Sequence, residues 1–484
     1  MNYDEKAIER IVDLVTQELR KTGGDSHGEA VAKASGVLRQ PADCGKGIYE
    51  DVNEAVEAAW AAQKELMRLS LKDRKRITDA IIEHCAPHIE ELAKMELEET
   101  GMGNYKDKLT KLRACLYMTP SVEKLDPDYE AGDNGAALYE YAPFGVIGAL
   151  TPSTNPPETV INNSIVMIAA GNTVVFSTHP NAYNSSARAV QLVTEAIRKA
   201  GGPDNLIVSI AGPTVEKTNA MMNHPKVNML CATGGPGVVR SILSCGKKGI
   251  GAGAGNPPAF VDETADIEKA AKDIVNGASY DNNIPCIAEK AVVVVNSAAD
   301  RLISNMTRNG AYLIRDGGVI KKLTEFCMPK EDSPNKKMIG KSPAYILSQI
   351  GVKIPEETRV AIFEAPRDNM LVMNEQMMPV LPIVRVKNTE EGIDLACDIE
   401  HGRRHTATCH SKNLDVITEY AKRLQCTIIV ANGSSFCAMG IGGVGHNALT
   451  IAGPTGEGLT NPKVFTRKRK IVLVDGLNIR AGVR

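Results

Sequence analysis

Residues 137–176 read ALYEYAPFGVIGALTPSTNPPETVINNSIVMIAAGNTVVF, and their pattern sets the fold class. A β-type run, 137–150, closes on a Pro-rich turn. A helical run then opens near Pro156 or Pro157, where proline suits a first turn, and a second β-type run, NTVVF (172–176), follows Gly171. Strand, helix and strand in that order make the parallel α/β unit. The alternation continues with a helical SSARAVQLVTEAIRKA (185–200) and the β-type runs LIVSI (206–210) and VNML (227–230). A second β-type series, AVVVV (291–295), AYLI (311–314), LVMN (371–374) and LPIVRV (381–386), implies another α/β domain in the C-terminal half. Upstream, residues 51–125 are charged and helical in pattern, and KRKIVLVDGLNIR (468–480) is a lone strand-like tail.

The first residues place Ile8, Ile11, Val12, Val15 and Leu19 at helical spacing among charges, which reads as a short amphipathic helix. A Gly-, Ala- and Ser-rich stretch without aromatics follows it and reads as a linker. The helix is either detachable from the body or packed on its own domain. A net charge of −2 over 484 residues argues against nucleic acid as a partner. No run of about 18 apolar residues and no secretory signal are present, so neither a membrane span nor export is expected. The 11 cysteines include no C-x-x-C pair, which fits reduced thiols in a cytoplasm and no structural metal.

Chemistry concentrates in a few segments. In YDNNIPCIAEKAVVVV (280–295), Asp281, Asn282, Asn283 and Pro285 form a turn-prone loop presenting Cys286 ahead of a buried strand. Cys286 is a nucleophile, its thiolate favoured by neighbouring dipoles, or a loop cysteine without a role. Asn155 is an ordinary helix N-cap or a side-chain donor to an oxyanion. Thr233, Gly234, Gly235, Pro236 and Gly237 join a strand to a helix, either as a phosphate-binding turn or as a tight βα connection. GIGAGAGNPPAFVD (249–262) reads as close backbone packing around a site, because Pro257 and Pro258 prevent a regular helix start. His84 and His88 lack a carboxylate ligand set, so surface or packing roles are expected. The cluster His401, His405, Cys409 and His410 resembles metal spacing only loosely. Its alternatives are a solvated loop or, through Arg403 and Arg404, a phosphate contact. Arg467 to Lys470 reads as a screened surface cluster.

TPSTNP (151–156), ATGGPG (232–237), GAGAGNPP (251–258), NNIPC (282–286), NEQMMPVLP (374–382) and GPTGEGLTNPKVFTRKRK (453–470) together resemble the aldehyde dehydrogenase superfamily. The likeness is greatest to its coenzyme A-acylating propionaldehyde and acetaldehyde dehydrogenases of bacterial microcompartments, and it covers nearly the whole chain. It implies an α/β fold of two Rossmann-like domains plus a small β oligomerisation extension. The implied limits are 1–20 for an encapsulation-type helix, 21–48 for the linker, and 49–258 for the cofactor-binding domain, with 134–147 in an oligomerisation arm. A catalytic domain, 259–446, and a return segment with the oligomerisation strand, 447–484, complete the chain.

By this resemblance Cys286 is the nucleophile and Asn155 the oxyanion donor. Thr151, Pro152, Thr233, Gly234 and Gly235 lie along NAD, with NADP the lesser alternative, and Glu375 holds its ribose. The segment VVFSTHP (174–180) brings Ser177 and His179 to the adenosine side, although many relatives carry a lysine where Ser177 stands. Hydrolytic relatives place a general-base glutamate where this chain has Ala252, so the implied acyl acceptor is coenzyme A rather than water. A thiol, with a pKa of about 8.5 against about 15.7 for water, needs far less base assistance to attack a thioester. The implied activity is reversible oxidation of propanal or acetaldehyde to an acyl-coenzyme A. The alternatives are a hydrolytic dehydrogenase releasing free acid and an inactive microcompartment cargo or scaffold protein. A homodimer or homotetramer is implied, bound to shell or cargo proteins through the N-terminal helix and located in the cytoplasm inside a microcompartment.

Overall fold

The computed structural model describes residues 47–477. The amphipathic segment at Ile8–Leu19 and nearly all of the linker lie outside the described residues. Strand β1 (Ile48–Tyr49) already pairs in register with Ser209 and Ile210, so residue 48 is part of a sheet rather than linker. Helices Val52–Leu66, Leu71–Cys85, Ile89–Thr100 and Tyr105–Met118 follow. Three of the four starts are set by side chains that satisfy free backbone donors: Asp51, Ser70 in a reciprocal capping box with Asp73, and Asn104; the helix Ile89–Thr100 has no side-chain cap.

The run 137–150 is two strands in different sheets. After β2 (Asp128–Gly132), β3 (Gly135–Pro143) joins an antiparallel sheet, whereas β4 (Val146–Leu150) enters the first parallel sheet. Phe144 and Gly145 make the break. Gly145 has φ +116°, and the Asn172 carboxamide oxygen accepts from both backbone amides at 2.7 and 3.0 Å. A left-handed glycine and a buried asparagine thus redirect the chain where hydrophobic pattern alone shows continuity.

Strands β5 (Thr173–Ser177), β6 (Ile207–Ile210), β7 (Val227–Thr233) and β8 (Lys248–Ala252) complete the first sheet, in the parallel order β1-β6-β5-β4-β7-β8. A second parallel sheet starts with β9 (Pro258–Val261) and β10 (Ala291–Val295). It adds β11 (Ala311–Leu313), β12 (Val360–Glu364), β13 (Val380–Val386), β14 (Thr406–His410) and β15 (Ile428–Ala431), in the order β11-β12-β13-β10-β9-β14-β15. Strand β10 sits at its centre and is buried on both faces. Val292 and Val294 enter one hydrophobic cluster, while Ala291, Val293 and Val295 enter another. Full burial of a valine is worth about 1.5–3 kcal/mol, so this strand anchors two layers at once. A short pair, β16 (Ile451–Ala452) with β17 (Gly458–Leu459), precedes β18 (Thr466–Val474), which pairs with β3 along its whole length.

Two expectations need correction. LVMN is not a strand: Met370–Met373 form a helical turn, with the Asn369 side chain accepting from the Leu371 amide at 2.8 Å. A short apolar run fits either state, and the cap decides. The stretch around His405 is not a solvated loop, because Thr406–His410 is an interior strand with every residue buried. Among the described residues no helix is long and apolar enough to cross a membrane, and no His/Cys/Asp/Glu cluster suits a metal. His84 instead faces Glu195 at 3.3 Å and His88 faces Glu91 at 2.6 Å.

Candidate active site

Cys286 stands three residues beyond a turn of unusual backbone. Asp281, Asn282 and Asn283 have φ of 47°, 52° and 65°, three successive non-glycine residues in the left-handed region. Such a conformation costs on the order of 1–3 kcal/mol per residue, least for Asn and Asp, and persists only where surroundings impose it. Here each side chain is tied. The Asp281 carboxylate accepts from the Asn104 amide at 2.9 Å and from Lys111 at 3.0 Å. The Asn282 amide donates to the Gly103 and Gly340 carbonyls, and that of Asn283 to the Ala278 and Glu289 carbonyls. A Cβ on Gly103 would lie 1.9 Å from Asp281 Oδ1, so a glycine is required beneath the turn. From the other side, Lys290 Nζ donates to Asn283 O and Oδ1, both at 2.7 Å, and to Pro285 O at 3.2 Å.

The residue is partly exposed, but its thiol is enclosed, and it borders an apolar cluster that includes Phe436, Ala438, Met439 and Ile451. Burial pushes the Cys286 thiol up to about 12, and the Glu375 carboxylate adds to the rise. Lys290 and the backbone amides of Cys286 and Ile287 act in the opposite sense. The dipoles that the sequence suggests are therefore present but outweighed, and the resting thiol is neutral. Glu375 is held beside this group: its Oε1 accepts from the Gly255 amide at 3.3 Å, and burial raises its own carboxyl. Gly255 is pressed between the Cys286 carbonyl and the His405 ring. An added Cβ would stand 2.7 Å from the former and 3.0 Å from the latter. This close packing fits the reading of the 249–262 segment.

Asn155 occupies the N-cap position of the helix Pro156–Ala169, yet its side chain caps nothing. Pro156 and Pro157 take the first two helical positions and carry no N–H, which removes a donor the cap would serve. Only its backbone carbonyl is used, accepting from Thr159 N at 3.1 Å. The buried carboxamide donates weakly to Thr154 Oγ1 at 3.3 Å, and its Oδ1 has no partner. The plain capping role is thereby excluded. The loop bearing Asn155 meets the turn before Cys286 at Lys111, whose Nζ also donates to Thr154 O at 3.4 Å.

The expected cofactor residues gather along one edge. Strand order reverses between β4 and β7, and a doubly wound sheet opens a ligand crevice at such a point, outside the carboxyl ends of its strands. Thr151 and Pro152 follow β4, while Thr233, Gly234 and Gly235 close β7 and lead into the helix Pro236–Ser244. That helix start has no side-chain cap, and nothing lies within 4 Å of where a Gly235 Cβ would stand. Ser177 and His179 flank the end of neighbouring β5. Ser177 Oγ is paired with Thr218 Oγ1 at 2.7 Å, and burial pushes His179 down to about 4, with Lys336 adding to it. The buried hydroxyls of Thr151 and Thr178 have no protein partner. A helix start without a side-chain cap, unpaired hydroxyls and an open glycine turn fit a dinucleotide. Glu375 stands apart from this edge, beside Cys286.

His405 and Lys290 were not legible as site residues in the sequence. His405 lies beside Gly255 with a buried, unpartnered Nε2, and burial pushes it down to about 4, which keeps the ring neutral. Its position immediately before the interior strand β14, not its spacing from other histidines, brings it to the site. Burial likewise brings Lys290 down to about 8.

A model described as the aldehyde dehydrogenase family matches residues 30–317. The propanal dehydrogenase (CoA-propanoylating) of Salmonella typhimurium is 46% identical over 437 residues, covering 90% of this chain and 94% of that protein. The crystal structure of Rhodopseudomonas palustris propionaldehyde dehydrogenase, with bound CoA and an acylated cysteine, is 50% identical with a TM-score of 0.88, covering 90% of this chain and 100% of that one. A propionaldehyde dehydrogenase from the fucose utilisation bacterial microcompartment of Clostridium phytofermentans is 46% identical with a TM-score of 0.87, covering 90% of this chain and 100% of that one.

Proposed function

Because the chain belongs to the aldehyde dehydrogenase family, we propose that it oxidises propanal or acetaldehyde with NAD and releases an acyl-coenzyme A through a thioester on Cys286. One observation carries the reading. A strained turn presents Cys286, and the facing loop presents an asparagine carboxamide freed from helix capping, with one ammonium between the two loops.

The neutral Cys286 thiol gives its proton to water, with Lys290 and the local backbone amides favouring the anion, and the sulfur adds to the aldehyde carbon as the C=O π pair moves onto oxygen. Asn155 Nδ2 and the Cys286 backbone N–H hold the developing oxyanion. Thr151, Pro152, Thr233, Gly234 and Gly235 would hold the dinucleotide, Ser177 and His179 its adenosine side, and Glu375 its ribose. A bound nicotinamide supplies the acceptor for the hydride that leaves the thiohemiacetal carbon. Neither Ser177 nor a neutral His179 offers charge to a 2′-phosphate, which favours NAD over NADP. Cys286 then carries the acyl group until the thiolate of coenzyme A removes it. Ala252 supports this acceptor over water, because it ends β8 beside Thr233 and brings no base to the site.

A cofactor-binding domain over 49–258 with 134–147 in an arm, a catalytic domain over 259–446 and a terminal segment over 447–484 remain our division, although Val146 and Ile147 belong to β4 and Pro258 to β9. Pairing of β18 with β3 leaves Ile471, Val472, Leu473 and Val474 exposed, which supports a dimer or tetramer through this strand; a monomer by light scattering contradicts it. The likeness to a microcompartment enzyme supports encapsulation through residues 1–20.

The test is NADH formation from propanal with and without coenzyme A, with the product identified. Acyl-coenzyme A and a requirement for the thiol are expected, and Cys286→Ala should abolish turnover. Free acid formed without coenzyme A would instead establish the hydrolytic reading.

A further inference from the structure

Five ionisable side chains are packed out of solvent between the helical layer and the two loops of the site. Lys108 and Lys111 come from the helix Tyr105–Met118, Glu96 from the helix before it, Glu158 from the first turn after Asn155, and Asp281 from the turn before Cys286. Burial, with Glu96 close by, pushes the Glu158 carboxyl up to about 8, against the pull of Lys111 and Lys108. Burial opposes the charge on Lys111, but Asp281, Glu158 and Glu96 outweigh it.

The two lysines are not equivalent. Lys108 pairs with Glu96 at 2.6 Å and with Asp281 at 3.4 Å. Lys111 repeats these pairings at 3.2 and 3.0 Å and adds two contacts that Lys108 lacks: Thr154 O at 3.4 Å and Glu158 at 3.3 Å. Thr154 and Glu158 flank Asn155 in sequence. Lys111 therefore touches the segment on both sides of Asn155 and the turn that leads to Cys286.

We propose that Lys111 is a positioning residue for the reaction, its ammonium fixing the Asn155 loop against the Asp281–Asn283 turn so that oxyanion donor and nucleophile address one carbonyl. This rests on Cys286 as nucleophile and Asn155 as donor. Lys111 itself touches neither substrate nor sulfur. Its contribution passes through Asn155, and misplacement by about 1 Å costs roughly 10²-fold in rate.

A double-mutant cycle on the full-length enzyme tests it, with Lys111→Met, Asn155→Ala and their combination, and Lys108→Met as a control. Rates are normalised to folded protein. Lys111→Met should lower kcat/KM for propanal roughly 10²-fold, leave KM for coenzyme A within about twofold, and cost less than about fivefold in the Asn155→Ala background. Lys108→Met, which removes a charge from the same network without touching Thr154, should cost the same factor in either background. If Lys111→Met does not fold, Asp281→Asn takes its place in the cycle, because asparagine tolerates the left-handed backbone while losing the charge that Lys111 grips. A full cost in the Asn155→Ala background, or no cost in the parent, overturns the inference while leaving the site assignment intact. Turnover by Cys286→Ala would overturn both.

Discussion

Lys290→Met removes the buried ammonium beneath the nucleophile loop and tests how that loop sets thiol reactivity. It deprives Asn283 O, Asn283 Oδ1 and Pro285 O of their donor. Hydrogen bonds from a charged donor are worth about 1.5–3 kcal/mol each. Against this, the fall of Lys290 from 10.5 to about 8 means that holding the charge in the fold costs about 3 kcal/mol, which methionine relieves. The net loss of stability is about 2–6 kcal/mol. Reactivity follows a separate path. With the Cys286 thiol near 12, about one molecule in 10⁵ carries the thiolate at pH 7. Loss of the ammonium that pulls the thiol down should slow alkylation below pH 8, by about tenfold for each pH unit by which the thiol rises. Above about 8 the wild-type Lys290 sheds its proton and its help fades. The logarithm of the wild-type rate should therefore rise with a slope below one through pH 8, while the variant keeps unit slope and converges on it. Iodoacetamide labelling of the Cys286 peptide, followed by mass spectrometry from pH 6.5 to about 10, reads both curves, a range spanning the Lys290 titration. Parallel curves, or a faster variant at pH 7, would refute the reasoning.

Gly103→Ala places a methyl 1.9 Å from Asp281 Oδ1 at φ +81°, so about 1–2 kcal/mol of backbone strain joins the loss of at least one charged hydrogen bond. Differential scanning fluorimetry should show a lower melting temperature, together with slower Cys286 labelling. Asn155→Ala should lower kcat roughly 10²–10³-fold, with little change in melting temperature because the carboxamide caps no helix. A melting loss of the size seen for a lost cap, without a rate loss, would restore the plain reading. Deletion of residues 1–21 should leave turnover intact and abolish co-purification with shells; equal co-purification counts against encapsulation by this segment.

Much of the architecture follows from apolar runs that the sequence displays openly, AVVVV foremost, because a strand buried on both faces needs no alternation. Cys286, Asn155 and the Thr233–Gly235 turn were legible because each sits at a junction marked by Pro, Gly, Asn or Asp. Where reading failed, the deciding partner was distant. The break at Phe144–Gly145 depends on Asn172, and the helical turn at Met370–Met373 on one cap. Lys111 looks like one more surface charge on a lysine-rich helix, and it takes Asp281, 170 positions away, together with Glu96 and Glu158 to account for its burial. The raised thiol pKa of Cys286 is equally invisible, since it sums burial with the charges of Glu375 and Lys290 and the backbone amides of its own loop.

The double anchoring of β10 has a bearing on motion. Its residues are shared between two clusters on opposite faces, so exposing its backbone to water means opening both layers together. Amide protons of Val292, Val293 and Val294 should then exchange with deuterium only as fast as the whole sheet opens. Lys290 adjoins this strand directly, and Cys286 lies four residues before Lys290, so the sulfur is moored to the slowest-breathing part of the molecule. Rearrangements that admit an aldehyde, a nucleotide and a thiol in turn must therefore be accommodated by the opposite wall, around the open turn at Gly234 and Gly235.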